Sequence, residues 1–176
     1  ADAIKINGKV QANNALVSAG RFTMDNSSGA ITSAGKQATL IEMTINPQYS
    51  IDVSSLGGIT ANSISMVGNN IGFGVRNQGS IVANSTLQLT SNGNLLNKGT
   101  ITGKGLLSQV STATGITNNG SIAGAYYLML SSGDYIVNVG SLTGGQLIAS
   151  ANGNITNGDS GTMTGTSGLS LTSGGK

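Results

Sequence analysis

One five-residue stretch, Asn118-Asn119-Gly120-Ser121-Ile122, decides the fold, because its pattern recurs along the chain. The pattern is Asn, any residue, Gly, Ser or Thr, and then an aliphatic residue. Its glycine stands at positions 79, 99, 120, 140 and, in a weaker copy, 161, which gives a period of 20 or 21 residues. A period of this length is typical of repeat proteins in which each repeat forms one structural unit.

Three aliphatic positions keep the phase of this repeat and predict interior columns. Strand side chains alternate between two faces, so we expect three short strands in each coil of about 20 residues. One coil cannot bury its apolar side chains alone, and the coils are therefore expected to stack as an all-β, right-handed parallel β-helix. The first predicted column contains Ile81, Ile101, Ile122, Leu142 and Met163. The second contains Leu87, Leu107, Leu128, Ile148 and Leu169, each eight residues after a glycine. The third contains Val75, Leu95, Ile116, Ile136 and Ile155.

The Asn-x-Gly step is expected to turn the corner between strands. Gly adopts positive φ easily, and Asn tolerates left-handed conformations better than most residues. Stacked asparagines are equally candidates for a hydrogen-bonded ladder along the coils, and the two roles stay open as alternatives. The predicted turn residues are Asn77, Gly79, Asn97, Gly99, Asn118, Gly120, Asn138 and Gly140.

The N-terminal part is less regular than the rest. Residues 21–48 interrupt the period, and we expect them to leave the wall of the helix as a hairpin or small sheet. Within them, Asp25 to Gly29 has the composition of a turn, and Thr39 to Ile45 alternates as a strand does. The chain is therefore predicted to be one solenoid with an insertion near its start.

Composition excludes several classes of function. Only 8% of residues are charged and the net charge is +2, without a basic stripe, so no nucleic-acid partner is predicted. The absence of cysteine excludes disulfides and thiolate sites. No apolar run approaches the length of a membrane-spanning helix. High glycine content, at 28 residues, disfavours helix formation.

Catalysis is not predicted, although some β-helices cleave polysaccharides. Such enzymes need clustered carboxylates, or acids with calcium and a basic residue. The sequence has no histidine, and no two of its acids share a coil phase or lie close together. We therefore predict no catalytic, metal or cofactor site. The six acids are Asp2, Asp25, Glu42, Asp52, Asp134 and Asp159.

Three side chains are candidate partner contacts: Arg76, Tyr126 and Tyr127. Arg76 is alternatively expected to bond a turn, or to pair with Asp52 across adjacent coils. The tyrosines are candidates for a carbohydrate-stacking platform. The favoured alternative is that one ring packs inside while its neighbour on the strand faces outward.

Residues 49–83 resemble the haemagglutination-activity domain of two-partner secretion exoproteins, the filamentous-haemagglutinin-like family that includes adhesins, haemolysins and CdiA-type contact-dependent growth inhibition proteins. Repeats after Gly79 are similar to the filament repeats of that family. The resemblance implies that residues 1–83 are the C-terminal part of the secretion domain and that 84–176 are filament-type repeats. The residues that carry it are Ile51 to Ser54, Leu56 to Gly58, Ala61, Ile64, Val67-Gly68 and Gly72 to Gly79.

This resemblance implies a function and a location. Family members cross the periplasm and leave through a partner outer-membrane transporter, and they end as secreted or cell-surface filaments. The first expectation is therefore a non-catalytic structural and export segment of such an exoprotein. The alternative is an adhesive module that binds a glycan or a receptor through exposed polar and Tyr side chains. A polysaccharide-active enzyme is the third and least favoured interpretation.

Overall fold

The computed structural model describes residues 3–20 and 49–175, which form strands joined by short corners. Alternating aliphatic and small polar residues favour extended backbone throughout both ranges. No helix able to cross a membrane is found in them. The strands are β1 Ile4–Ile6, β2 Lys9–Ala19, β3 Tyr49–Val53, β4 Gly58–Gly68, β5 Gly74–Asn77, β6 Ser80–Ser91, β7 Leu95–Asn97, β8 Thr100–Gly103, β9 Leu107–Thr112, β10 Ile116–Asn118, β11 Ser121–Ser132, β12 Ile136–Asn138, β13 Ser141–Ala151, β14 Ile155–Asn157 and β15 Thr162–Ser173.

The strands stack as a parallel β-solenoid of about 6 turns, which confirms the predicted all-β fold. Short strands form one sheet in the order β1-β3-β5-β7-β10-β12-β14. Long strands form the other, in the order β15-β13-β11-β8-β6-β4-β2, with β9 pairing β11 and β6. The sequence predicts three strands in each coil. In most coils two of them are joined as one long strand, because the irregularity at mid-strand shifts the register without ending the sheet. Only β8 and β9 are separate strands.

Two of the three interior columns lie where the sequence places them. Ile101 pairs in register with Ile81 on one side and Ile122 on the other, and the column continues through Leu142 to Met163. The column on the short strands runs in register from Ile51 through Val75, Leu95, Ile116 and Ile136 to Ile155. Aliphatic side chains of the inner coils are fully buried in both columns.

The second column differs from the prediction at Leu107 and Ile148. Both side chains face outward, where Leu107 is 38% exposed. Their buried neighbours Ser108 and Leu147 take the interior positions. The column in the structure is therefore Leu87, Ser108, Leu128, Leu147 and Leu169.

Corner length explains these two errors. The corner in the middle of the long strand contains Lys104 to Leu106 in one coil, Ala125-Tyr126 in the next and Gly145 alone in the one after. Because strand side chains alternate, one residue more or less in a corner moves every following side chain to the opposite face. A fixed distance from the glycine therefore cannot define the column that follows this corner.

Two predictions about domain organisation are not tested by the described strands. The hairpin or small sheet expected at 21–48 lies outside the described residues. The boundary between 1–83 and 84–176 lies inside β6, whose ladder with β4 runs across it. The division thus follows a sequence resemblance and stays a prediction.

Candidate functional site

The repeat asparagines form a buried ladder and turn their corners at the same time. Nδ2 of Asn97 donates to Oδ1 of Asn118 at 2.8 Å, to the Gly99 carbonyl at 3.2 Å and to the Ser121 carbonyl at 3.1 Å. Asn77, Asn118 and Asn138 repeat this arrangement. Each amide therefore links three backbone or side-chain groups of successive coils. The two roles that the sequence leaves open are both present.

Glycine is required at these turns because there is no space for a Cβ atom. The prediction that the turn glycines have a positive φ is wrong. Among described residues, positive φ occurs only at Gly20 and Gly72. A Cβ on Gly120 would instead overlap the carbonyl oxygen of Gly99 in the coil before it. The same overlap with the preceding coil occurs at Gly79, Gly99 and Gly140. Close backbone stacking, not a left-handed turn, therefore selects glycine here.

A second polar column, which sequence analysis missed, lines the corner after the long strand. Ser91, Thr112 and Ser132 are buried in register with one another. The hydroxyl of Ser91 donates to the Asn94 carbonyl at 3.2 Å, and that of Ser132 donates to the Tyr135 carbonyl at 2.8 Å. The sequence signal for this column is a Ser or Thr three residues before each of Asn94, Gly115 and Tyr135.

Arg76 lies in an ion pair on the outer face of the short-strand sheet. Its Nε and a terminal guanidinium nitrogen donate to the two carboxylate oxygens of Asp52 at 2.8 and 2.7 Å, so the predicted pair is present. The guanidinium carbon is 4.7 Å from the centre of the Tyr49 ring. The hydrogen bond with Asp52 raises the pKa of Arg76, while partial burial opposes that rise. The cluster fastens neighbouring coils, and a partner contact at Arg76 stays a prediction.

Both tyrosines of the Tyr126-Tyr127 pair face outward, so the expectation that one ring packs inside is wrong. Tyr126 is 61% exposed and Tyr127 is 38% exposed. Ala125 and Tyr126 occupy the corner, which breaks strict alternation and leaves both consecutive rings exposed. Leu106 and Leu107 of the preceding coil lie beside them and are also exposed. Both rings are exposed at one corner, and a carbohydrate contact there stays a prediction.

The acids provide no carboxylate cluster in the part of the chain that the structure describes. Asp52 is held by Arg76, and Asp134 and Asp159 lie in exposed corners of different coils. No group of three or more His, Cys, Asp or Glu side chains with metal-binding geometry is found there. Asp2, Asp25 and Glu42 lie outside the described residues.

Comparison with known proteins finds a relative of the CdiA type, which is the type that the sequence resembles. The chain is 30% identical over 116 residues, or 65% of its length, to toxin CdiA of Yersinia pestis. The chain resembles a filament segment of the filamentous-haemagglutinin and CdiA type. The likeness to this family that the sequence predicts is thereby confirmed. The match spans only 3% of the length of that toxin.

Two further comparisons add no information about the family. No protein-family model matches the chain. No solved structure matches it either. The CdiA-type likeness thus depends on the curated toxin, together with the solenoid fold.

Proposed function

We propose that this CdiA-like chain is a non-catalytic rod segment of a secreted bacterial surface exoprotein, of the adhesin or contact-dependent growth inhibition type. In this proposal the segment crosses the periplasm, leaves through a partner outer-membrane transporter and spaces other parts of the exoprotein from the cell surface. The supporting likeness is to a toxin whose length is far greater than that of this chain.

The observation that carries the proposal is the continuity of the interior along the stack. The short-strand ladder runs unbroken from β1 to β14, and the asparagine ladder runs from Asn77 to Asn157. Each coil is stabilised by its two neighbours, so a stack of this kind can be lengthened without a change of fold. Stacking of this kind produces a rod.

Local pairing also suits export as an extended chain. Ladder partners such as Asn97 and Asn118 are separated in sequence by one coil, so each new coil can fold on the coil before it. No cysteine is present, so folding outside the cell needs no disulfide formation. Both properties fit a chain that folds progressively as it emerges from a transporter.

The absence of a catalytic role is supported by the arrangement of the acids. Glycoside hydrolysis needs two carboxyl groups on either side of one bond. Asp52 is committed to Arg76, and no histidine is available for acid–base chemistry. The described part of the chain therefore lacks the usual groups for cleaving a polysaccharide.

Deletion of one complete coil tests the proposal. Removal of residues 78–97 joins Asn77 to Lys98 and restores the register of both sheets. We expect the shortened exoprotein to keep its surface level within about twofold, because stacking is modular. Removal of residues 78–87 is the matched control, and it is expected to abolish surface display because the phase is lost. Accessibility to protease on intact cells measures both.

Two outcomes would contradict the proposal. Loss of surface display after the complete-coil deletion would show that this coil does more than space its neighbours. Unchanged surface display in a strain without the partner transporter would show that export does not use that transporter. The first result concerns the rod and the second concerns secretion.

A further inference from the structure

An apolar patch lies on the outer face of two adjacent coils. We call Leu106, Leu107, Tyr126, Tyr127 and Met129 the tyrosine patch; all five are exposed by more than a third of their surface. Contiguous exposed apolar side chains mark interaction surfaces more often than chance. Each of the five lies on the long-strand side of the solenoid, near its mid-strand corner.

The corner that presents this patch is longer than the turn requires. Gly145 alone turns the same corner in one coil, and Asn62 alone does so in another. Lys104 to Leu106 use three residues for it. The outward position of Leu107 places Ser108 inside with an unpartnered buried hydroxyl, which is unfavourable. The coil therefore exposes two leucines and buries one serine hydroxyl without a partner.

Two glycines of the following coils lie beside the tyrosines. Gly145 follows Tyr126 along the stack, and its backbone is so close that a Cβ there would lie 2.7 Å from the Tyr126 carbonyl oxygen. Gly168 lies next in the column after Tyr127 and Gln146, and a Cβ on it would contact only the Gln146 side chain, at 3.9 Å. Tyr127 therefore has Gln146 as its direct neighbour on this side, and Gly168 follows Gln146.

The surroundings of the tyrosine patch are polar but uncharged. The second halves of the long strands, from Ser63–Gly68 in β4 to Gly168–Ser173 in β15, contain no charged residue. Lys104 is the one charge in the corner segments that form the patch. Polyanions such as nucleic acid or sulfated glycans need several cations at the surface. A neutral ligand is the chemical complement of this face.

Size also discriminates between partners. A stable protein interface uses about 20–30 residues of all kinds on each side, and the tyrosine patch provides only five apolar residues for its centre. Two tyrosine rings match the area of one or two sugar rings. The C–H face of a pyranose rests on the negative face of an aromatic ring, and its hydroxyls bond to side-chain amides such as those of Gln109 and Gln146.

From these observations we infer that the tyrosine patch binds an uncharged glycan, with Tyr126 and Tyr127 as stacking residues and Gln146 as a hydrogen-bonding residue. This inference is independent of the proposed rod function, since a solenoid without the patch would stack equally well. It predicts that the binding energy comes from the exposed rings, and that the fold does not depend on them.

The test uses the complete chain and a panel of neutral and charged saccharides. Cellohexaose, chitohexaose and mannohexaose are the neutral probes, and a heparin hexasaccharide is the charged one. Saturation-transfer NMR and calorimetry measure binding. We expect at least one neutral probe to bind and the double variant Tyr126→Ala/Tyr127→Ala to bind it about tenfold or more weakly, a loss of about 1.4 kcal/mol. Tyr126→Phe is expected to retain binding, because stacking needs the ring only.

Leu16→Ala is the matched control. Leu16 is an exposed apolar side chain on the same half of the long strands, several coils away, and its removal is expected to leave binding unchanged. Circular dichroism checks that every variant keeps the fold. Failure of all neutral probes, binding of heparin alone, or equal binding by the double variant would overturn the inference. Concentration-dependent self-association that the double variant loses would assign the patch to a protein interface instead.

Discussion

The inner coils and the last described coil have the same sequence pattern but very different burial. Leu147 is fully buried in β13, whereas its partner Leu169 in β15 is 49% exposed. Asn138 is fully buried, whereas Asn157, the next residue of its ladder, is exposed. The side chains are of similar kind, and the difference is that the inner coil has a described neighbour on both sides.

This difference shows that the stack, and not the individual coil, is the unit of stability. An aliphatic side chain in a column loses contact with water only when coils cover it from above and below. A ladder amide becomes buried under the same condition. Substitutions at matched positions of an inner and the last coil should therefore differ in cost, although they remove the same atoms.

The largest expected effect is at the centre of the first column. Ile122→Ala should lower the free energy of unfolding by about 4 kcal/mol, because it leaves a cavity that coils on both sides enclose. Met163→Ala, in the half-buried end of the same column, should cost about 1 kcal/mol. Urea denaturation followed by far-ultraviolet circular dichroism measures both. Equal losses would contradict the comparison.

A smaller effect is expected in the asparagine ladder. Asn118→Ala removes a donor from three acceptors and an acceptor from Asn97, all at a buried site, and should cost about 3 kcal/mol. Asn157→Ala, at the exposed end of the ladder, should cost about 1 kcal/mol. The same denaturation experiment applies. A cost at Asn157 that matches the cost at Asn118 would show that burial does not strengthen the ladder.

The smallest effect has the opposite sign. Ser108→Ala should raise the free energy of unfolding by about 1 kcal/mol, because the Ser108 hydroxyl is buried without a hydrogen-bond partner between two leucines of its column. Ser170→Ala, an exposed outward position in β15, should change it by less than about 0.5 kcal/mol. Differential scanning calorimetry measures the two melting temperatures. Destabilisation by Ser108→Ala would mean that the hydroxyl has a partner in solution.

Much of the fold follows from periodicity in the sequence. The columns of Ile122 and Ile116 keep a constant relation to the Asn-x-Gly step, because no corner of variable length separates them from it before residue 157. At the weaker fifth copy the turn from Gly158 to Gly161 is longer, as its spacing indicates, and Met163 still enters the first column. Local spacing is sufficient wherever the corner is constant.

The candidate site was only partly predictable, for the same reason. Tyr126 and Tyr127 stand out in the sequence, but alternation alone predicts that they face opposite sides. Leu106 and Leu107 are aliphatic residues of the kind that usually lies in a core, and sequence spacing placed Leu107 inside. Val110 explains why Leu107 faces outward. Burial of Leu107 would bring Gln109 inside and expose Val110 to water. Only the whole strand selects the register.

The sequence by itself determined that the chain is a stack of parallel coils, which residues turn the first corner and which family it resembles. These properties depend on a repeat that survives small local changes. Tertiary structure alone decided the faces beyond the mid-strand corner, the exposure of the tyrosine patch and the reason for glycine at each turn. All three depend on the neighbouring coil, which is close in space but a full repeat away along the chain.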